Sequence, residues 1–271
     1  MSFDPEAMRA FEHAGWQKAA SQYQATFAAA TGEFVEALLD AAGVEPGTRV
    51  LDLCCGTGLV AGAAVGRGAA AVGLDFSPAM LAVARAEHPS LDFVEGDAET
   101  TGLAAASFDA VVSSFGIHHV PRPDRAMGEA FRALRPGGTV AFVTWAAPVD
   151  NIAWGLLLDA MRLHGNLDAK APVSGGGLGS AEAVLRLLRG AGFVETEAEL
   201  VRREWQLAQP GNLVAALRRG TVRTAALIDA QRPAALLAIE AEIARQAAAY
   251  RRDGWYCIPV AAILGHGRKP R

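Results

Sequence analysis

Three acidic residues, two glycines and a pair of histidines have the types and spacing to do chemistry. Asp52, Asp75 and Asp97 each stand at or near the end of a short apolar run, and Gly56 and Gly58 follow Asp52 in Cys54-Cys-Gly-Thr-Gly58. His118 and His119 follow the run that ends near Ser114. Small residues let a ligand come close to the backbone. The free amides of the helix that starts at Leu59 favour a negative or strongly polar group. An acid about 20 residues past such a loop is positioned to take a ribose diol on its two carboxylate oxygens. The alternative for Asp75 is that it only caps the turn into the next helix. A histidine, with an unperturbed pKa of about 6.5, suits proton removal at neutral pH. The alternative for His118 and His119 is that they hold their loop by hydrogen bonds.

The elements that must position these residues alternate between two periods. Val50, Leu51 and Leu53 read as a buried strand after the Pro46-Gly47 turn, and Leu59 to Val65 as an apolar helix. Ala69 to Asp75 is a second strand, followed by Phe76 and by Ser77-Pro78, an N-cap with Pro in the first turn. Leu91 to Ala98 is a third strand, ending in Gly-Asp-Ala, and Ser107 to Ser114 a fourth. The helix after it carries Ala126, Met127, Ala130, Phe131 and Leu134 on one face and stops at Leu134-Arg-Pro-Gly-Gly138, before a fifth strand over Thr139–Trp145. Strand and helix in alternation predict a doubly wound, mostly parallel sheet with its ligands at the carboxyl ends of the strands.

Two readings compete for the glycine loop. Gly56-Thr-Gly-Leu-Val-Ala61 matches the G-x-G-x-x-G/A pattern of dinucleotide folds, a match that is weak alone. With Asp52 as the key residue, Val50-Leu-Asp-Leu-Cys-Cys-Gly-Thr-Gly58 resembles the first motif of class I S-adenosylmethionine-dependent methyltransferases, with Cys54 in place of the first glycine. A small side chain fits at Cys54 if its φ stays negative. His118-His-Val-Pro-Arg-Pro-Asp124 and Leu134-Arg-Pro-Gly-Gly138 resemble the ubiquinone- and menaquinone-biosynthesis-like members, so that four motifs follow one another in order over residues 45–146.

That resemblance implies a seven-stranded Rossmann-like sheet with an antiparallel last strand, in a single domain over residues 1–271. It implies S-adenosylmethionine as cofactor: Asp75 on the ribose, Asp97 and Ala98 on the adenine edge, Phe76 and Met80 against the adenine face. Asp52, Cys54, Gly56, Gly58 and Ser114 complete the expected cofactor set, with Tyr23 reaching the methionine end from an N-terminal lid. Segments 1–42, 146–180 and 209–250, outside the cofactor motifs, are expected to form lids over an acceptor pocket; a Gly-rich loop starts at Gly175. Trp16, Trp154 and Met161 either line that pocket or pack the lid core, and Arg218, Arg219, Arg223, Arg251 and Arg252 either face solvent or meet an acidic substrate.

The reaction implied is methyl transfer to a small-molecule acceptor, with His118 or His119 as base when the acceptor must lose a proton. The competing enzyme class is a nicotinamide-dependent oxidoreductase, but the chain lacks a Tyr-x-x-x-Lys pair for it. A third reading is the same fold binding the cofactor without methyl transfer.

Composition bounds the partners. The chain is 271 residues long with 51% hydrophobic residues, enough for a sizeable core, and no apolar run suggests a membrane span. A net charge of −4 gives no support for nucleic-acid binding. Three cysteines make no disulfide framework, no second Cys or His cluster accompanies Cys54 and Cys55 at zinc spacing, and the start lacks a signal-peptide pattern. These features predict a cytoplasmic protein, monomeric or a homodimer, without a metal.

Overall fold

The computed structural model describes residues 3–168 and 177–271. In chain order the helices are α1 (Pro5–Thr26), α2 (Ala28–Gly32), α3 (Val35–Ala41), α4 (Leu59–Gly66), α5 (Pro78–Glu87), α6 (Pro123–Ala133), α7 (Ile152–His164), α8 (Ala181–Gly190), α9 (Gly211–Gly220), α10 (Arg223–Asp229) and α11 (Pro233–Ala247). The strands are β1 (Arg49–Leu53), β2 (Ala70–Asp75), β3 (Asp92–Glu95), β4 (Phe108–Ser114), β5 (Leu134–Trp145), β6 (Val194–Leu207), β7 (Arg251–Arg252) and β8 (Trp255–Arg268). Contacts divide the chain into two units.

The sheet unit comprises Phe34–Trp145, Gly175–Val201 and Ala262–Arg271. Strand order is β3-β2-β1-β4-β5-β8-β6, with the two-residue β7 added to β8. The first five strands pair in parallel. β8 runs antiparallel to β5, from Thr139 opposite Arg268 to Trp145 opposite Ala262. The expected sheet with its antiparallel last strand is therefore present, and the small β7 raises the strand count from seven to eight. Leu51, Leu53, Leu74, Val112 and Phe142 are buried, as parallel strands covered on both faces require. α6 turns Ala126, Met127, Ala130 and Ala133 inward.

One boundary differs from the sequence expectation. The Leu134-Arg-Pro-Gly-Gly138 stop is the start of β5 itself: Leu134 pairs with Phe108, and the register shifts before Thr139 meets Ala110. A bulge there accommodates Pro136, which has no amide to donate. At the N-terminus α1 starts at the Asp4 N-cap, whose carboxylate accepts from the Glu6 and Ala7 amides.

The helical unit comprises Met1–Glu33, Ala146–Ser174 and Arg202–Ala261. Its core holds Phe27, edge-on to Trp154 at 6.0 Å and to Trp205 at 5.5 Å. Met161 is fully buried. A buried ion pair between Glu12 and Arg223 ties α1 to α10. Among the described residues no helix is long and apolar enough to cross a membrane. The Gly175 loop begins outside the described residues.

Candidate functional site

β1 delivers Asp52 almost wholly buried. Its Oδ2 accepts the Ala61 amide of α4 at 3.0 Å, while Oδ1 is buried with no hydrogen-bond partner among the described residues. One turn of sequence later the chain reverses sharply: Cys54 has φ +62°, Gly56 +53° and Gly58 +81°. The expectation of a negative φ at Cys54 is thus wrong. An L-residue in this left-handed region costs about 1–2 kcal/mol, and the sharp turn between β1 and α4 requires it.

β2 delivers Asp75 on the neighbouring strand end. Its Oδ2 accepts the Gly56 amide at 2.9 Å and its Oδ1 the Ser77 amide at 2.9 Å. Ser77 caps α5 by accepting from Met80, which is buried. Phe76 is half-buried. Beyond β3, Asp97 Oδ1 accepts the Glu99 amide at 2.8 Å in a tight turn, with Ala98 buried beside it.

The electrostatics show that these acids converge. Burial pushes the Asp52 carboxyl up to about 7; the Ala61 amide opposes that shift and the Asp75 charge adds to it. Burial also pushes the Cys54 thiol well up, with further contributions from Asp75, Asp52 and Asp97, and it does the same to Cys55 with Asp52 and Asp75. Neither thiol is a thiolate nucleophile at neutral pH. Three carboxylates acting on one loop residue favour positive charge beside it. Asp52 already holds the Ala61 amide in the first turn of α4, so the dinucleotide reading is not favoured.

β4 brings in a second wall. The hydroxyls of Ser113 and Ser114 are buried without partners among the described residues. Phe115, at φ +55°, stacks on Trp145 at 3.9 Å, and Phe34 meets both rings edge-on. A Cβ added at Gly116 would lie 2.3 Å from the Cys54 Cβ and 2.9 Å from Ser113 Oγ. The sequence reading missed both Gly116 and this aromatic trio. The Phe-Gly pair between Ser114 and the histidines was the available signal. His118 and His119 follow on a single 3-10 turn, half-buried, their rings 4.2 Å apart.

Asp52, Cys54, Gly56, Gly58, Asp75, Phe76, Met80, Asp97, Ala98, Ser114 and the two histidines therefore all lie in the sheet unit. Tyr23 lies in the helical unit, its hydroxyl sharing a hydrogen bond with Thr31 Oγ1 at 3.1 Å and its ring against Trp16 and Phe27. Among the described residues no group of His, Cys, Asp or Glu is arranged to hold a metal ion. The residues fit a cationic, ribose-bearing ligand: an orphaned buried carboxylate oxygen, a small-residue loop and a strand-end acid meet its charge and its diol.

Residues 51–142 match the family model described as a methyltransferase domain. Over 111 residues, 41% of this chain and 47% of the relative, the chain is 40% identical to a demethylmenaquinone methyltransferase of Renibacterium salmoninarum. It is 48% identical over 103 residues to the ubiquinone/menaquinone biosynthesis C-methyltransferase UbiE of Rhizobium etli, 35% of this chain and 40% of that protein. The matched stretch thus spans less than half the length of these relatives. The structure of Haemonchus contortus phosphoethanolamine N-methyltransferase 2, solved with S-adenosylhomocysteine, superposes with a TM-score of 0.53 at 21% identity, covering 88% of this chain and 52% of that one. That likeness is one of fold.

Proposed function

Because residues 51–142 match a methyltransferase-domain model, we propose that the protein transfers a methyl group from S-adenosylmethionine to a small-molecule acceptor. The observation that carries this reading is the convergence of Asp52, Asp75 and Asp97 on the Cys54–Gly58 loop. In this reading Asp75 accepts from the ribose hydroxyls and Asp97 from the adenine amino group. The Ala98 amide meets a ring nitrogen, and Phe76 and Met80 cover the ring face. Asp52 Oδ1 and the Ser114 hydroxyl serve the polar amino-acid end.

When bound, S-adenosylmethionine supplies a methyl already activated by its sulfonium charge. The chain's own task is then to hold the acceptor in line and keep water out, an orientation effect worth roughly 7–11 kcal/mol. His118 or His119 takes the acceptor's proton where there is one to lose. The helical unit, with Tyr23 among its residues, carries acceptor recognition. The relatives' names point to quinone-type acceptors, and we extend only the small-molecule class to this chain. We place the protein in the cytoplasm, as a monomer or homodimer, without a nucleic-acid partner.

Incubation with methyl-labelled S-adenosylmethionine and a metabolite extract, followed by mass spectrometry, tests the reading. A labelled small molecule is expected. Absence of both label transfer and cofactor binding would overturn it.

A further inference from the structure

We propose that a groove within the helical unit, between α1 and the α9–α10 pair, is a binding site for a small amphipathic carboxylate. The two walls pack closely at Gly15, where an added Cβ would lie 2.3 Å from Val222 Cγ1, and the Glu12–Arg223 ion pair joins α1 to α10 beside it. Around Gly15 the helices border a half-open groove of about 490 Å³. Ligand pockets run from about 300 to 1,000 Å³. The apolar lining comes from Phe11 and Ala14 on one side and from Val222, Ala225 and Ala226 on the other.

The charge at this groove is one-sided. Lys18, Arg218 and Arg219 line it against one acid, Asp229. Arg218 spends its charge on Asp229 at 2.5 Å. Lys18 and Arg219 have no carboxylate partner among the described residues, although the chain as a whole carries a net charge of −4. Surface cations alone are ordinary. Two uncompensated cations beside a concave apolar wall select a particular occupant, one with an apolar body and an anionic head. The flat fork of a guanidinium matches a carboxylate by two parallel hydrogen bonds. A neutral molecule of the same body loses that term, and a cationic one meets repulsion. The site belongs to the helical unit alone, so its occupancy does not depend on methyl transfer.

Calorimetry on the full chain without cofactor tests this, with decanoate, 1-decanol and decyltrimethylammonium as probes. Decanoate is expected to bind at one site and to slow amide hydrogen exchange over residues 11–22 and 218–229. 1-Decanol is expected to bind about tenfold more weakly, the scale of one charge-assisted hydrogen bond, and the ammonium not to bind. The Lys18→Gln, Arg219→Gln double variant should bring decanoate and 1-decanol to within about twofold of each other. Ala14 is exposed, so Ala14→Trp fills the groove without touching a core, and should abolish binding of both. Failure of decanoate to bind, equal binding of decanoate and the alcohol, or full affinity in Ala14→Trp would each overturn the proposal.

Discussion

The Asp75 carboxylate accepts the Gly56 amide at 2.9 Å. The glycine loop is thus fastened to the end of the neighbouring strand by the same side chain that the functional reading assigns to a ribose. Its other oxygen holds the Ser77 amide at the start of α5. Loop geometry and the proposed ligand contact are in this way coupled through one residue.

Replacing Asp75 should therefore cost both stability and affinity. Asp75→Ala leaves two amides without their acceptor, at about 1–3 kcal/mol each. Asp75→Asn keeps the shape, yet one of those amides then faces an NH2 group. Urea denaturation should show a loss of stability in both variants. Calorimetry should show S-adenosylhomocysteine and adenosine both weakened at least about tenfold. Lowered stability with unchanged affinity for adenosine would confine Asp75 to holding the loop.

Asp52 predicts a pH dependence whose sign follows from its raised pKa. Folded, the carboxyl titrates at about 7, against an ordinary 3.8. Between those values the folded chain holds a proton that the unfolded chain releases. This contribution to stability is complete below pH 4 and is lost as pH rises through 7. Asp52→Asn should flatten that part of the stability profile. A cationic ligand favours the ionised carboxylate, so S-adenosylmethionine binding should tighten with rising pH and release a proton near neutrality. Calorimetry in two buffers of different ionisation enthalpy reads that proton, and a heat independent of buffer would remove Asp52 from the site.

Most of the fold was legible because period and punctuation agreed. Asp52 and Asp75 close buried runs and Asp97 follows the short, mostly exposed β3; all three precede turn residues, which locates the carboxyl edge of the sheet without any pairing information. Leu134-Arg-Pro-Gly-Gly138 misled because Pro and Gly read as a helix stop, whereas Leu134 already pairs with Phe108 across a bulge. The aromatic trio was illegible because Phe34, Phe115 and Trp145 are far apart in sequence. Only the register of β4 on β5 and the packing of α3 bring them together. Trp154 and Met161, candidates for a pocket by residue type, instead pack the helical unit, Met161 wholly and Trp154 with its Nε1 donating to Thr224. Residue type does not distinguish a pocket wall from a core.

Cys54 and Gly116 should behave as a coupled pair. Cys54→Gly removes the left-handed penalty of about 1–2 kcal/mol and adds roughly 0.5–1 kcal/mol of backbone entropy cost. It should be neutral or slightly stabilising, with cofactor affinity kept. Gly116→Ala drives a methyl to 2.3 Å from the Cys54 Cβ and should destabilise by about 1–3 kcal/mol. In the double variant that clash disappears, so the two effects should fail to add by at least about 0.5 kcal/mol. Denaturant midpoints of the four proteins form the cycle. Strict additivity would mean that the loop and the β4 exit are not in contact.

The histidine pair decides what kind of acceptor the site serves. His118 and His119 sit on one 3-10 turn with rings 4.2 Å apart. If the acceptor is a hydroxyl or phenol, one of them removes its proton, and that His→Ala change should cost the 10²–10⁴-fold typical of general-base catalysis, about 100- to 10,000-fold in rate. If the acceptor is a thiolate, a neutral amine or an activated carbon, no difficult proton leaves at the displacement step and the loss should be small. The measurement is a pH–rate profile at saturating cofactor for the wild type, His118→Ala and His119→Ala. We expect the acidic limb of that profile to vanish in His119→Ala. A limb that survives in both variants, together with weakened cofactor binding in both, would make the pair a support for the loop after β4. The base would then have to be sought elsewhere.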